Sequence, residues 1–550
     1  MAVDTVSLPL AEDEERASWI PMIAIALGQM IMSFNVASLP VAMGGMVESF
    51  GVPPTTVATG IVAYSMLVAG FVMLGAKFCQ RFGALRVFRG AVVLFCVAQI
   101  FMTFSPNATI MIFAQALCGA AGAVIVPALV ALIAENYRGR QQATALGALG
   151  SARAAAGVLA FIIGGVLGTY IGWRPVFGIL IAVSAVVFLL SFRLKPDEGR
   201  PEVTIDAVGV LLAAGAIICI SFGFNNLNGW GLAVATANAP FNILGGSPAP
   251  ILIVVGLVLG QAFFLWTHRR EKAGKTPLLP LQVIDSREER AAVYAMFTVV
   301  ALEAALNFSV PLYIQIVQGR SPIATAVAMM PFNLTVFFAA MLIVRFYEKL
   351  TPRQIGRYGF ALCTVALLWL AFVVRNDWSE FAVLLGLVLF GLGQGALVTL
   401  LFNVLVTASP KEVAGDVGSL RGTTNNLAAA VGTAVAGALM VGLLSSIALS
   451  GIAASPKLTP ELQAQVDLNS INFVSNERLH TVLAGTNASP AQVAEAVRVN
   501  SEARLRALKI GLLLMAGLAL LAIIPAGRLP NYQPGEIPAE NLEPSQARRG

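Results

Sequence analysis

Charge is the scarcest property of this sequence. Asp, Glu, Lys and Arg together make up 12% of the 550 residues, whereas hydrophobic residues make up 57%. Soluble proteins are typically about 25% charged. A soluble chain of this length could not cover its surface with so few charges. The composition therefore excludes a soluble globular protein and predicts a protein that crosses the bilayer many times.

Histidine and cysteine are also scarce, which argues against an enzyme. The only histidines, His268 and His480, fall in two different predicted loops, so neither a histidine-based triad nor a zinc site is expected. Gly274-Lys275-Thr276 lacks the earlier glycine of a phosphate-binding loop, because Arg269 stands there. No cofactor and no metal are expected. The five cysteines lie in or beside apolar runs without metal-like spacing, which indicates packing: Cys79, Cys96, Cys118, Cys219 and Cys363.

Fourteen apolar runs are long enough to span a bilayer, because a spanning helix needs about 20 mostly apolar residues. The first run follows an acidic segment, 12–15, and is too long for the core of a signal peptide, so we expect an uncleaved helix. The predicted spans are 19–43, 54–76, 87–104, 109–134, 143–169, 173–192, 206–225, 250–267, 291–315, 323–345, 356–374, 380–406, 418–448 and 507–527.

Positive charges fall in every second loop between these runs. Of the short alternate loops, 44–53, 105–108 and 226–249 contain none, and the others contain single arginines. The long outer loop 449–506 is mixed in charge, but long loops cross the membrane regardless of charge. Because cytoplasmic loops are enriched in Lys and Arg, the alternation predicts a multi-pass inner (plasma) membrane protein with both termini in the cytoplasm. The net charge of +6 then reflects orientation in the lipid bilayer, and no nucleic-acid partner is expected.

The predicted spans group as six, two and six. The basic and aromatic segment 75–89, between the second and third spans, is repeated in character at 345–357, between the tenth and eleventh. Such internal repetition is typical of transporters whose substrate site lies between two halves near the bilayer midplane. The predicted domains are a cytoplasmic N-terminal tail (1–18), an N-terminal half (19–195), a two-helix insert with flanking loops (196–290), a C-terminal half (291–527) that includes an outer loop (449–506), and a disordered cytoplasmic tail (528–550).

Several short motifs fit one family when they are taken together. They are Lys77 with Gln80-Arg81-Phe82-Gly83, Trp173-Arg174-Pro-Val-Phe177, Ile205-Asp206 with Gly209, and Pro311-Leu-Tyr-Ile-Gln315 with Gly319 and Ser321-Pro322. On these residues the chain resembles the major facilitator superfamily, specifically its fourteen-helix branch typified by drug–proton antiporters. The resemblance implies an all-α major facilitator fold of fourteen transmembrane helices, arranged 6+2+6 with pseudo-twofold halves.

The chain departs from that branch in four places. Gln80 stands where the loop motif has an aspartate, and Asn35 lies where many such antiporters have one. Gln115 replaces an arginine that the family links to proton transfer, and Ala160-Phe161 replaces Gly-Pro before Gly164-Gly165. With Gln80 in place of the acid, the motif is expected not to form the charge-paired contact that the family's loop makes through its aspartate. The departures favour uptake of a small nutrient or vitamin, for example riboflavin, as the alternative to drug export.

Two charged residues lie deep in predicted spans, where an ionisable group costs about 2.5–3.5 kcal/mol and marks a functional site. Glu303 lies about twelve residues into the ninth span, roughly 18 Å deep, with Asn307 one turn later on the same face. Arg153 lies at a similar depth in the opposite half. We expect both to act in proton coupling or gating, as an ion pair that breaks and re-forms when the halves rock. The alternatives are a permanently paired Glu303, and an Arg153 that binds an anionic or carbonyl-rich substrate or extends towards the cytoplasm.

Uncharged polar side chains within spans either line a substrate path or hydrogen-bond neighbouring helices. The candidates for the substrate cavity are Asn35, Tyr64, Gln115, Asn307, Asn333, Gln394 and Asn403. The residues of the loop motif are Lys77, Gln80, Arg81, Gly83 and Arg86. The sequence therefore predicts a secondary active transporter, monomeric, that moves a small neutral or amphipathic organic solute by alternating access, with proton coupling as an option. A channel or a membrane receptor would instead require a pore-lining oligomer or a signalling domain.

Overall fold

The structure is a computed structural model that describes residues 18–137, 139–237, 239–346, 349–375, 381–408, 414–455, 479–480, 483 and 488–531. Within these ranges fourteen helices are long and apolar enough to cross a membrane. They are α1 (Ile20–Phe50), α2 (Pro54–Phe82), α3 (Ala84–Thr103), α4 (Ala108–Asn136), α5 (Gly139–Tyr170), α6 (Arg174–Leu190), α7 (Ala207–Trp230), α8 (Pro248–Lys272), α9 (Arg287–Leu312), α10 (Pro322–Leu342), α11 (Pro352–Val373), α12 (Phe381–Ala408), α13 (Ala414–Ala454) and α14 (Pro490–Ala526). The predicted number of spans is confirmed.

Local sequence signals explain where many of these helices begin. Proline occupies the first turn of α2, α8, α10, α11 and α14, where its missing N–H would have no helical partner in any case. Ser286, Thr351 and Ser489 cap α9, α11 and α14 through capping boxes, in which the cap hydroxyl and the third helical side chain bond each other's backbone. A π-turn, Tyr313–Val317, extends α9 after Pro311.

The last helix is much longer than its apolar segment. The predicted span began at 507, whereas α14 begins at Pro490 and runs without a break to Ala526. Its polar first part is supported by Arg498, which bonds Glu495 at 2.6 Å and Glu502 at 2.7 Å one turn to either side. A hydropathy window detects only the membrane-embedded part of a helix. The helix that contains the predicted span 507–527 therefore begins seventeen residues before that span, at Pro490.

The helices form two groups of six that pack mainly within themselves. In the N-terminal half α4 packs on α2 and α3, α1 on α5, and α3 on α6. In the C-terminal half α11 packs on α12 and α14, α10 on α12, and α13 on α9. Gly391 and Gly395 of α12 lie directly against the backbone carbonyls of Phe332 and Val336 on α10, where a β-carbon would clash. These glycines therefore serve close helix packing.

The two ends of the helix bundle hold different connections. The basic end holds the α2–α3 turn at Gly83 and the α6–α7 connection, 191–206, and the opposite end holds the α1–α2 turn at Gly51 and the α7–α8 connection, 231–247. The two halves meet along α2 and α13 and along α5 and α10. The interior between the halves is therefore bordered by these four helices together with α1 and α9.

The two-helix insert lies beside one of these seams, because α7 packs on α8 and also on α2 and α13. Asp206 joins its two helices at the basic end. Its carboxylate accepts a hydrogen bond from the Gly209 amide at 3.0 Å, caps α7, and accepts another from Nε1 of Trp266 at 3.1 Å. Nε of Arg270 lies 3.5 Å from the same carboxylate. The predicted Asp206–Gly209 motif is thus a capped helix start.

The predicted terminal segments fall largely outside the described residues, which begin at 18 and end at 531. Where the predicted disordered tail begins, the backbone packs on α11. Nε of Arg353 donates to the Leu529 carbonyl at 3.0 Å, and the amide of Arg353 donates to the Pro530 carbonyl at 3.2 Å. The expectation of disorder from residue 528 onward is therefore wrong for 528–530.

Candidate functional site

Glu303 lies near the middle of the spanning helix formed by α9 and its π-turn, and its side chain is half-buried. Gln394 of α12 holds it in place. Nε2 of this fully buried amide donates to Oε2 of Glu303 at 3.2 Å and to the main-chain carbonyl of Val299 at 2.8 Å. Because a carbonyl can only accept, the bond to Val299 fixes the amide nitrogen towards α9. The carboxyl group of Glu303 is therefore held by a neutral donor.

The second oxygen of Glu303, Oε1, forms no hydrogen bond with any other residue that the structure describes. Asn307, one turn later on α9, is also half-buried, and its Oδ1 accepts no hydrogen bond from a described residue. One carboxyl oxygen is thus fixed by an amide while the other can take up a proton or a ligand group. The contact between Glu303 and Gln394 therefore uses only one of the two carboxyl oxygens.

The remaining cavity candidates of the C-terminal half are arranged differently. Nδ2 of Asn333 donates to the carbonyl of Met329 on its own helix at 3.0 Å. Beside it, the rings of Phe332 and Phe390 stack at a centroid distance of 5.6 Å between α10 and α12. The side chain of Asn403 lies outside the described residues. The side-chain nitrogen of Asn333 therefore bonds within α10, and its side-chain oxygen is left for other partners.

A closed amide cluster occupies the N-terminal half. Nδ2 of Asn35 on α1 donates to Oε1 of Gln115 on α4 at 3.0 Å, and Nε2 of Gln99 on α3 donates to Oδ1 of Asn35 at 2.9 Å. Nε2 of Gln115 lies 3.3 Å from the same Oδ1. All three side chains are fully buried. The structure thus brings the predicted residues Asn35 and Gln115 together, and in this conformation neither reaches solvent.

Gln99 was not among the predicted site residues. Its signal in the sequence is weak, because it is a single amide inside the apolar run 91–103. Only the packing of α1, α3 and α4 shows that its partners are Asn35 and Cys118, whose Sγ lies 3.3 Å from Nε2. Interhelical bonds of this kind contribute on average about 0.6 kcal/mol each in membrane proteins.

Tyr64, Arg153 and Arg421 border the seam between the halves. The buried Tyr64 of α2 lies against Gly119 and Gly122 of α4, where a β-carbon would crowd its backbone and its hydroxyl. The charge of Arg153 on α5 acts on Tyr64 and on Arg421 of α13. Arg153 itself is exposed. Arg153 of the N-terminal half and Arg421 of the C-terminal half therefore lie within electrostatic reach of each other.

Arg153 and Glu303 do not form an ion pair in this structure. Within the described residues, Glu303 is bonded by Gln394, and the ion pairs join Lys77 to Asp416, Arg270 to Asp206, and Arg498 to Glu495 and Glu502. The two residues do lie on opposite halves, as predicted. An ion pair that forms in another conformation stays a prediction.

The loop motif at the basic end does form a contact between unlike charges. Nζ of Lys77 on α2 lies 3.4 Å from Oδ1 of Asp416 on α13, and both side chains are largely buried, at 12% and 14% exposure. The acid of this contact is therefore not the one that Gln80 replaces, because Asp416 comes from the other half, more than three hundred residues later.

The rest of the loop motif is held by the α6–α7 connection. Asp197 accepts hydrogen bonds from the amides of Ala84 and Leu85, the latter at 2.9 Å, and so caps the start of α3. Gly83 has φ of +89° and lies against Asp197, which leaves no room for a side chain. Nη1 of Arg81 donates to the Val203 carbonyl at 3.5 Å. Asp197, which sequence reasoning missed, therefore supplies the acid at this turn, while the side chains of Gln80 and Arg86 are exposed.

At the opposite end, Gln315 of the π-turn joins the C-terminal half to α1. Its Oε1 accepts a hydrogen bond from the amide of Gly44 at 2.7 Å, and its Nε2 donates to the carbonyl of Pro40 at 3.0 Å. These are the two groups that an uninterrupted helix would bond to each other. A β-carbon at Gly44 would lie 2.7 Å from Oε1 of Gln315 and would displace this amide group.

Helices α5 and α10 also meet at the opposite end. Oγ1 of Thr169 accepts a hydrogen bond from the amide of Ile323 at 3.1 Å, and Gly165 and Gly168 lie against the first turn of α10. The two halves are therefore joined at this end by α5 and α10 as well as by Gln315 and α1.

These features define a class of protein: a polytopic helical transporter with two six-helix halves around a central polar space. The sequence profile of the Major Facilitator Superfamily matches residues 25–433. The match covers most of the chain, and the chain belongs to this superfamily. Its members are transporters, not enzymes.

Curated relatives are similar over most of their length. The chain is 24% identical to the tetracenomycin C resistance and export protein of Streptomyces glaucescens, over 78% of this chain and 77% of the relative. It is 23% identical to the multidrug efflux pump LfrA of Mycolicibacterium smegmatis, over 81% and 84%. It is 27% identical to the puromycin resistance protein pur8 of Streptomyces alboniger, over 72% and 74%.

Solved structures share the fold. A bacterial homologue of the human lysosomal transporter Spinster superposes with a TM-score of 0.59 at 15% identity, over 91% of this chain and 96% of that chain. The human organic anion transporter MFSD10 superposes with a TM-score of 0.53 at 12% identity, over 92% and 99%. The predicted all-α major facilitator fold is confirmed.

Proposed function

We propose that this protein exports a small neutral or amphipathic organic compound by alternating access and exchanges it for protons at Glu303. The observation that carries the proposal is the half-buried carboxyl group in the middle of α9, fixed at Oε2 by Gln394 and open at Oε1. An acid inside a membrane is retained at a cost and marks a proton or substrate path in transporters.

The proposed orientation places the basic end in the cytoplasm of a cell with an inner (plasma) membrane. Lysines and arginines concentrate in connections at that end, including those around Gly83 and in 191–206 and 268–290. Cytoplasmic loops carry such an excess of positive charge. In this orientation the contacts of Gln315 with α1 and of Thr169 with α10 lie on the outer side of the membrane.

In the proposed cycle, the substrate enters from the basic end and occupies the space between α9, α12 and the N-terminal half. Rocking of the halves breaks the bonds of Gln315 to Pro40 and Gly44 and opens the opposite end. A proton then binds Oε1 of Glu303. A neutral acid is cheaper than a carboxylate in apolar surroundings, so protonation favours the return of the empty carrier. The Gln394 N–H remains bonded in both protonation states.

The substrate class follows from the polar groups near that space. Asn307 offers an amide group whose oxygen has no described partner, and Asn333 offers its side-chain oxygen. Uncharged hydrogen-bonding groups of this kind suit an uncharged or amphipathic molecule. The relatives reported above are named for tetracenomycin C, for multiple drugs and for puromycin. Their names support export rather than uptake of a nutrient such as riboflavin.

Everted membrane vesicles test direction and coupling together. The vesicles come from a bacterial host without its own efflux pumps and are energised by a pH gradient that is acid inside. We expect the chain to drive accumulation of puromycin or tetracenomycin C, and a protonophore to abolish it. Accumulation of riboflavin in right-side-out vesicles alone would establish uptake instead. In proteoliposomes, counterflow that is no faster than in empty liposomes would point to a channel or receptor.

A further inference from the structure

The largest fully buried side chain described in this protein is that of Arg504, on α14. Its exposure is 1%. Nε, Nη1 and Nη2 are all buried, and none of them has a hydrogen-bond partner. An arginine side chain stays protonated in proteins. The described part of the chain thus holds a guanidinium charge out of water without an acid to neutralise it.

An uncompensated buried charge is strongly unfavourable. Removal of one member of a buried ion pair typically destabilises a protein, because the remaining charge is left without a partner. The arginines elsewhere on α14 are not in this position: Arg498 bonds Glu495 and Glu502, and Arg506 is exposed. Arg504 therefore points to a missing anionic partner.

The surroundings of Arg504 suit a small anion. Its charge interacts with Tyr313, in the π-turn of α9, so the phenol lies within electrostatic reach of the guanidinium. The buried amide of Asn500 lies one turn earlier on α14. Ala503 and Ala507, both small and buried, flank Arg504 on the same face. Guanidinium nitrogens form a planar fork that matches a carboxylate or a phosphate through two parallel hydrogen bonds.

We propose that Arg504, together with Tyr313, binds one oxyanion, a carboxylate or a phosphate group, at the opposite end of the C-terminal half. The site is distinct from Glu303, because it lies at the end of α9 and involves α14. It does not depend on the proposed export or on its direction. The oxyanion belongs either to a free solute or to a lipid headgroup, since both present the same chemistry to the guanidinium.

Thermal unfolding of the purified full chain tests the site without a transport assay. Inorganic phosphate or benzoate is added in neutral detergent against sodium chloride of equal ionic strength. In a second arm, nanodiscs of phosphatidylcholine with and without phosphatidylglycerol are compared in phosphate-free buffer. We expect the unfolding midpoint of the wild type to rise with at least one of these oxyanions. A response confined to phosphatidylglycerol identifies a lipid headgroup, and a response to phosphate or benzoate identifies a free solute.

Variants at Arg504 decide whether this residue is the site. Arg504→Met should abolish the response and, without an oxyanion, should unfold no earlier than the wild type, because the unpaired charge is gone. Arg504→Lys should retain a response with roughly tenfold weaker apparent affinity, because an ammonium group lacks the guanidinium fork. Arg506→Gln, on the exposed side of the same helix, should behave like the wild type.

Two results would overturn the proposal. One is a wild type that responds to none of the probes, or that responds as Arg504→Met does. The other is an Arg504→Met protein that is less stable than the wild type in oxyanion-free buffer, since the counter-ion would then belong to the chain itself. Failure of Arg504→Met to fold in that buffer counts as the second result.

Discussion

The buried polar groups of the two halves differ in their hydrogen bonding. In the N-terminal half, Asn35, Gln99 and Gln115 satisfy one another in a fully buried cluster without a charge. In the C-terminal half, Glu303 is half-buried, keeps its charge-bearing group and leaves Oε1 open. The first arrangement joins three helices through neutral groups, whereas the second leaves one carboxyl oxygen without a described partner. Under the proposed function, the proton site therefore belongs to the C-terminal half.

The difference also explains why the missing antiporter residues need not mean a missing proton site. An aspartate at Asn35 and an arginine at Gln115 would form a charged pair between α1 and α4. Here two amides make the same contact at 3.0 Å without the desolvation penalty of two ions. The N-terminal half has thereby lost titratable groups at this position, so proton coupling would fall to Glu303.

The largest effect is expected from Glu303→Gln. This change replaces the carboxyl group of the C-terminal half by an amide, so that it is neutral like the amide cluster of the N-terminal half. Glutamine keeps the size of the side chain and an oxygen that can accept from Gln394, but it cannot bind a proton reversibly. Uphill transport driven by a pH gradient should fall to the background of vesicles without the protein, while counterflow down a substrate gradient should persist. Asn307→Asp serves as a control that adds a carboxyl group one turn away. Full uphill transport by Glu303→Gln would show that the proton site lies elsewhere.

The reverse change, Asn35→Asp, places a charge in the neutral cluster. A charged residue in the middle of a membrane costs about 2.5–3.5 kcal/mol, and Gln115 and Gln99 offer only neutral partners. We expect a lower unfolding midpoint and less folded protein in fluorescence-detected size-exclusion chromatography. The double change Asn35→Asp/Gln115→Arg should recover a large part of that loss, because it restores a charge pair. A single variant as stable as the wild type would show that the cluster is not closed to water.

The sequence was sufficient to predict the elements that depend on local patterns. Apolar runs and alternating loop charge gave the number of spans, and polar residues inside spans identified Glu303, Gln394, Asn35 and Gln115. The residues that the sequence did not predict act through contacts between distant segments. Gln99 gives no pattern of its own, and Asp197 and Asp416 act on the α2–α3 turn from connections far along the chain.

The burial of Arg504 could not be predicted from the sequence either. In the sequence it is one of several charges just before the last apolar run, next to Arg498 and Arg506, and nothing distinguishes it from them. Burial depends on the rotation of α14 and on the packing of α9 and α13 against it. Helical periodicity alone cannot give that rotation when polar residues occur on all faces of the segment.

The smallest effect is expected at the contact that joins the two unlike halves at the basic end. Lys77→Gln or Asp416→Asn removes a long contact of 3.4 Å at the end of the bundle. Because both side chains retain some exposure there, water can solvate the remaining charge, and we expect a cost of about 1 kcal/mol. Each variant should increase deuterium uptake of residues 416–423 at the start of α13, and the exchanged pair Lys77→Asp/Asp416→Lys should reverse the increase. Arg81→Gln is the matched control, since Arg81 bonds Val203 within the same end of the bundle and does not reach α13. Unchanged uptake in both single variants would mean that packing between α2 and α13, at contacts such as Val72 with Gly422 and Ala69 with Thr423, holds the halves together at this end without the charge pair.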